Sequence, residues 1–103
     1  MKMIKLLSEE IKHNIHEARE KIEKAYELRE KDKAAADWYK HMAAAHIDFN
    51  NAGHSRVAAL IAEAKAKKEH DPMLPGMMTV YEDMHADVMK ESAEVSAMIA
   101  AFK

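Results

Sequence analysis

The stretch HDPMLPG, residues 70–76, decides the fold, because it holds both prolines of the chain and one of its two glycines. Proline disfavours helical geometry in the residue before it, so a helix is expected to end near Glu69 and another to begin near Pro75. The remaining composition is typical of helices, with abundant Ala, Glu, Lys and Met and few β-branched residues. The stretch therefore predicts a chain reversal between two long helices.

A second reversal, at LREKDKA (residues 28–34), is predicted by a change of helical phase. At about 100° per residue the first segment gathers one apolar stripe: Ile4, Leu7, Ile11, Ile15, Ala18, Ile22 and Ala25. The next segment gathers another: Tyr39, Met42, His46, Gly53, Val57, Leu60 and Ala64. The two stripes differ by roughly 100°, so one straight helix cannot bury both. Asp32 is the expected N-cap of the second helix.

These two reversals predict a single all-α domain over residues 1–103. Its helices are expected near residues 3–30, 33–69 and 75–102, as an antiparallel up-down-up three-helix bundle. The third helix is expected to bury a further stripe: Met77, Tyr81, Met84, Val88, Val95, Ile99 and Phe102.

Charge and composition argue against several classes of function. The 16 basic residues are interleaved with 18 acidic ones, a pattern that does not favour nucleic-acid binding. The chain has no cysteine, so thiolate metal sites and cysteine nucleophiles are excluded. It shows no signal peptide, no apolar run of about 18 residues, no glycine-rich phosphate loop and no serine-nucleophile motif. We expect a cytoplasmic protein, neither membrane-bound nor, on balance, an enzyme.

Several apolar side chains fall outside the predicted central stripes: Leu6, Trp38, Met78 and Met89. Their position predicts self-association, most simply as a homodimer, with Trp38, Met78, His85 and Met89 at the interface. Scattered exposure on a monomer is the alternative interpretation. The primary hypothesis is therefore a non-catalytic structural or protein-interaction module, with a peptide partner as a further possibility.

The segment HIDFNNAGHSRVAAL, residues 46–60, is the most polar part of the second helix. His46 falls at the centre of its apolar stripe, which predicts a buried neutral imidazole with one hydrogen-bond partner. Gly53 shares that face, and glycine inside a helix costs about 1 kcal/mol relative to alanine. Its presence predicts close approach of a neighbouring helix.

His54 is expected at the edge of the same stripe. Counting residues back from both reversals places it level with Glu91, a carboxylate near the apolar face of the third helix. The sequence therefore predicts a His54–Glu91 pair, joined by Glu10 or Asn14. Such a pair can fix helix register, or it can be half of a metal site.

The alternative function is a ferritin-like metal-binding protein or oxidoreductase, with Fe or Zn as its metal. Glu-x-x-His occurs at Glu10–His13 and Glu82–His85, a spacing found in helical bundles that bind two irons. Asn51 stands where such a motif would carry Glu before His54, so no family is assigned. The candidate ligands are His46, His54, Glu91, Glu10, Glu82 and His85, the last two acting across a dimer.

Overall fold

A computed structural model describes residues 2–66 and 74–103, with side chains from residue 79 onward in the second range. Three helices pack against one another: α1 (Lys2–Leu28), α2 (Lys33–Ala66) and α3 (Leu74–Ala101). The predicted all-α three-helix bundle is confirmed. The predicted break at 70–76 falls mostly outside the described residues, and Pro75 lies in the first turn of α3, where its missing N–H removes no helical hydrogen bond.

α1 is held by the isoleucine stripe that the sequence predicts. Its buried residues are Ile4, Ser8, Ile11, Ile15, Ala18, Ile22 and Ala25. Leu7 is half-buried instead, and Ser8 takes a buried position. Full burial of each isoleucine contributes about 1.5–3 kcal/mol, so this stripe supplies much of the stability of the bundle.

The turn between α1 and α2 has the cap that the sequence predicts. The Asp32 amide donates to the Leu28 carbonyl at 2.8 Å, which closes the end of α1. The Asp32 carboxylate then accepts a hydrogen bond from the Ala35 amide at 3.1 Å, as an N-cap does for α2. Asp32 thus both ends the first helix and begins the second.

The predicted core face of α2 is wrong. The residues that α2 buries are Ala36, Ala43, Ile47, Asn50, His54, Val57 and Ile61. This face is rotated by about 70° from the predicted stripe, at 100° per residue. Asn50 and His54 occupy the core face, and their polarity hides it from a count of apolar residues.

α3 packs on α1 through aromatic and charged contacts. Tyr26 donates its hydroxyl to the Met98 carbonyl at 2.8 Å and meets the Phe102 ring edge-to-face, with centroids 5.1 Å apart. Val88, Val95 and Phe102 are buried as predicted. Tyr81, Met84 and Ile99 are half-buried, and the side chain of Met77 lies outside the described residues.

The bundle is long and thin, with principal extents of 58, 18 and 17 Å. None of the described helices combines the length and the apolar character that a bilayer-spanning segment needs. Two regions stand out: an open groove between α1 and α2, and a buried polar cluster beneath α3.

Candidate functional site

The open groove is formed by α1 and α2. Two adjoining cavities of about 450 and 280 Å³ make it up, and both are lined by Asn14 and Phe49. The described residues that line them are Leu7, Glu10, Ile11, Asn14, Met42, Ala45, His46, Phe49, Asn50, Ala52 and Gly53. On α1, Asn14 lies about 140° around the helix from Arg19, which contacts α3. The groove therefore opens away from α3.

Phe49 is the most exposed large apolar residue of the described chain, with 72 % of its surface accessible. Its ring lines both cavities, so a projecting aromatic side chain and an apolar hollow lie side by side. Burial of an exposed phenylalanine contributes about 1.5–3 kcal/mol, which favours covering this surface.

Gly53 lies against the Ile11 side chain of α1. A Cβ atom at position 53 would lie 2.9 Å from Ile11 Cγ1 and 3.0 Å from Ile11 Cδ1. The predicted packing role of this glycine is confirmed, because the isoleucine occupies the space of a side chain.

The prediction that His46 is buried in the core is wrong. The side chain is half-buried and lines the open groove with Asn14 and Met42. Part of the predicted stripe faces the groove instead of the core, at Met42, His46 and Gly53. Val57 is buried as predicted, and the remaining members, Tyr39, Leu60 and Ala64, pack partly against the core.

The buried polar cluster is defined by four side chains with unpartnered polar atoms among the described residues: Ser8 on α1, Asn50 and His54 on α2, and His85 on α3. The exposed fractions of Ser8, Asn50 and His54 are 3, 1 and 5 %, and His85 is half-buried. Within the described ranges, no hydrogen-bond partner is found for Ser8 Oγ, Asn50 Oδ1 and Nδ2, both ring nitrogens of His54, or His85 Nε2. A buried polar group without a partner costs about 1–3 kcal/mol, so this cluster opposes folding unless something binds it.

His54 and His85 face each other across α2 and α3. Their ring centroids lie 5.2 Å apart, with the ring planes tilted by 33°. His54 lies twelve residues before the end of α2 and His85 eleven residues after the start of α3, so antiparallel packing places them at one level. Asn50 is one turn from His54 on the same face of α2.

Burial sets the protonation of this pair. Desolvation lowers the pKa of His54, and the nearby His85 lowers it further. Desolvation also lowers the pKa of His85. Both imidazoles are therefore neutral near pH 7, which leaves a lone pair on each ring for a proton, a hydrogen-bond donor or a metal ion.

The predicted His54–Glu91 pair is wrong. Glu91 Oε1 accepts a hydrogen bond from Arg19 Nε at 3.2 Å, and Arg19 also binds Glu94. The error is one of register between α2 and α3, because the residue of α3 that lies level with His54 is six positions before Glu91. His54 therefore meets His85 instead of Glu91.

The other predicted metal ligands are separated from one another. Glu82 lies 2.6 Å from the Lys65 ammonium, and Glu10 and His46 line the groove. In the part of the chain that the structure describes, no three His, Cys, Asp or Glu side chains come together as metal ligands. Of the six predicted ligands, the structure brings together His54 and His85.

Among the side chains that the structure describes, the predicted interface residues do not form one strip. Trp38 and Met89 are exposed, by 59 and 47 %, but Trp38 lies on α2 and Met89 on α3. Met89 is level with Asn50, twelve residues from Trp38 and thus about 18 Å away along the bundle. His85 faces the interior, and the side chain of Met78 lies outside the described residues.

Sequence reasoning missed three important residues: Phe49, Asn50 and Ser8. Phe49 lies outside the apolar stripe that the sequence pattern assigns to the core, so the pattern gives it no role. Asn50 and Ser8 recur at helical spacing with buried apolar residues, at Ile47 and Ile4, and this spacing was the available signal.

Comparisons with protein-family models, with curated proteins and with solved structures give no match for this chain.

Proposed function

We propose that this protein is a non-catalytic structural or interaction module that self-associates by pairing the α1–α2 groove of one copy with that of a second. The observation that carries the proposal is the exposed Phe49 ring beside an unfilled apolar groove. A projection and a hollow on one surface are what an isologous dimer needs, because a two-fold axis brings each Phe49 to the partner's groove.

Charge supports a second copy as the occupant. Of the described residues that line the groove, Glu10 is the one acidic or basic side chain apart from the titratable His46. Interface centres are depleted in charged residues, since desolvating a charge is costly. Two identical grooves can therefore meet with little repulsion.

The available area also agrees with a dimer. The α1–α2 face runs along the 27 residues of α1, or about 40 Å, on a molecule 18 Å wide. Its footprint is on the order of 700 Å², close to the roughly 800 Å² that each partner of a standard interface buries. Pairing along the whole of this face would therefore approach the area of a specific dimer.

Sedimentation equilibrium of three proteins tests the proposal: the wild type, Phe49→Glu and the control Met89→Glu. We expect the wild type and Met89→Glu to dimerise, and Phe49→Glu to raise the dissociation constant at least about tenfold, since it places a charge in the interface. A wild type that stays monomeric at high concentration would contradict the proposal, as would a Met89→Glu protein that loses the dimer instead.

The ferritin-like alternative has less support. Glu91 and Glu82 form ion pairs with Arg19 and Lys65, so two of the three carboxylates in that ligand set are bound to basic side chains of the bundle. A peptide that occupies the same groove would compete with the dimer and would shift its equilibrium in the same sedimentation experiment. The cytoplasmic location stays a prediction from the sequence.

A further inference from the structure

The His54–His85 pair lies inside the bundle, and neither histidine lines the groove that the proposed dimer uses, although Asn50 beside the pair also lines the groove. Its two rings come from different helices and face each other at 5.2 Å between centroids. Two imidazoles bound to one tetrahedral ion through metal–nitrogen bonds of about 2 Å have centroids about 5 Å apart. The observed separation matches this value and also falls within the range of about 4.5–7 Å for packed aromatic rings, so the unpartnered ring nitrogens carry the argument for a ligand.

The surroundings of the pair also suit a ligand. Among the side chains described, His54 is 5 % exposed and lacks a hydrogen-bond partner at either ring nitrogen. The Asn50 amide, one turn away and 1 % exposed, is unpartnered at both its oxygen and its nitrogen as far as the described residues extend. Neutral imidazole nitrogen and amide oxygen are donors that borderline divalent ions accept.

We propose that His54 and His85 bind a single divalent first-row transition-metal ion, with Zn²⁺ as its probe, and that Asn50 Oδ1 is the third protein donor. Two imidazoles and one amide leave a fourth position for water. Such an open site differs from a closed structural zinc site, in which four protein side chains fill the coordination sphere. The ion would also join α2 to α3, since each helix supplies one histidine.

Surface histidines can bind the same ion, so their contribution to Zn²⁺ binding has to be measured separately from that of the buried pair. His13 and His16 are exposed and lie near Glu17 and Glu20 on α1, with His16 Nε2 3.1 Å from Glu20 Oε1. Pairs spaced in this way on a helix can chelate transition ions adventitiously. The matched control is therefore the double variant His13→Gln/His16→Gln.

The test uses the full, tag-free chain after treatment with a chelator. Thermal unfolding is followed with and without a tenfold excess of Zn²⁺, and Co²⁺ is added separately to read tetrahedral coordination from its visible d–d bands. We expect Zn²⁺ to raise the Tm of the wild type and of His13→Gln/His16→Gln by the same amount. In His54→Gln and His85→Gln the Zn²⁺ affinity should fall at least about tenfold.

His85 is half-buried, so His85→Gln perturbs folding less than a change at His54, and far-UV circular dichroism confirms that each variant is helical. The proposal is overturned if Zn²⁺ leaves the wild-type Tm and the Co²⁺ spectrum unchanged. It is equally overturned if the response persists in His85→Gln or disappears in His13→Gln/His16→Gln. Because the oligomeric state is measured separately, failure of this site and failure of the dimer are distinguishable.

Discussion

Each of the two faces of α2 carries an exception to the usual distribution of polarity. The face toward α1 and α3 buries Asn50 and His54, while the face at the groove exposes Phe49 by 72 %. Soluble domains ordinarily bury apolar side chains and leave polar ones in water. Each exception costs free energy in the isolated chain. A hydrogen-bond donor, a water molecule or an ion offsets the cost of the buried polar groups, and an apolar partner offsets the cost of the exposed ring.

The difference teaches that a strip of apolar residues need not mark the core. Buried polar residues that lower the stability of a fold are typical of binding sites, because the free energy of ligand binding offsets the stability that they cost. The buried face of α2 is thus the better place to look for chemistry, and the exposed face the better place to look for a partner.

The largest expected effect separates the faces directly. Ile47→Ala removes a buried side chain and should lower the free energy of unfolding by about 2–4 kcal/mol. Phe49→Ala should change it by less than about 0.5 kcal/mol in the monomer, because the ring is exposed. Urea denaturation at monomeric concentrations measures both. Equal losses would mean that Phe49 belongs to the core and would remove the contrast.

The second-largest expected effect is a loss of stability in acid, caused by the histidines on the buried face of α2 and on α3. The pKa values of His54 and His85 are lowered in the folded protein, so the unfolded chain binds protons more readily than the folded chain below the ordinary value of 6.5. Stability is therefore complete above about pH 6.5 and falls as pH drops through the folded pKa values. The slope approaches about 1.4 kcal/mol per pH unit for each histidine.

The pH effect is measured by urea denaturation in chelator between about pH 5 and 6.5, above the range in which most carboxylates titrate. His54→Gln/His85→Gln should flatten the profile relative to the wild type. A wild-type profile that is already flat in this range would show that the two rings are accessible to protons.

A smaller effect of opposite sign is expected for Asn50→Leu. Replacing a buried amide that has no partner among the described residues by an apolar side chain should raise the free energy of unfolding by about 1 kcal/mol in the metal-free protein. The same change should weaken Zn²⁺ binding. Denaturation with chelator checks the first outcome, and a loss of stability would show that the amide is satisfied in solution.

The smallest change tests how tightly the floor of the groove is packed. Gly53→Ala improves helix propensity but places a methyl group against Ile11 Cγ1. The overlap should outweigh the propensity gain and lower stability by about 1 kcal/mol. Gly53→Ala in an Ile11→Val background should recover part of that loss, since valine lacks the Cδ1 atom. A gain of stability in the single variant would mean that α1 can move aside.

The sequence predicts the parts of this fold that rest on local rules. The α1 stripe and the Asp32 cap are confirmed, because periodicity and capping depend on neighbouring residues. The close approach at Gly53 is confirmed for a similar reason, since glycine is unfavourable inside a helix unless its missing side chain makes room for a neighbour.

Phase and register between helices were harder to predict. Asn50 and His54 make the core face of α2 look polar, so a count of apolar residues favours the face that contains His46 as the core. His54 lies level with His85 rather than with Glu91, so the register of α3 against α2 differs from the one that counting residues predicts. No local pattern fixes this register, because it depends on packing along the whole interface.

Because the molecule is slender, hydrodynamic measurements distinguish side-by-side from end-to-end association of two copies. At 58 Å by 18 Å the monomer is an elongated particle with high friction for its mass. Side-by-side pairing through α1 and α2 would double the mass while the maximum dimension in small-angle scattering stays almost constant, and the frictional ratio would fall. Joining two copies end to end would instead nearly double that dimension and slow tumbling about the short axes.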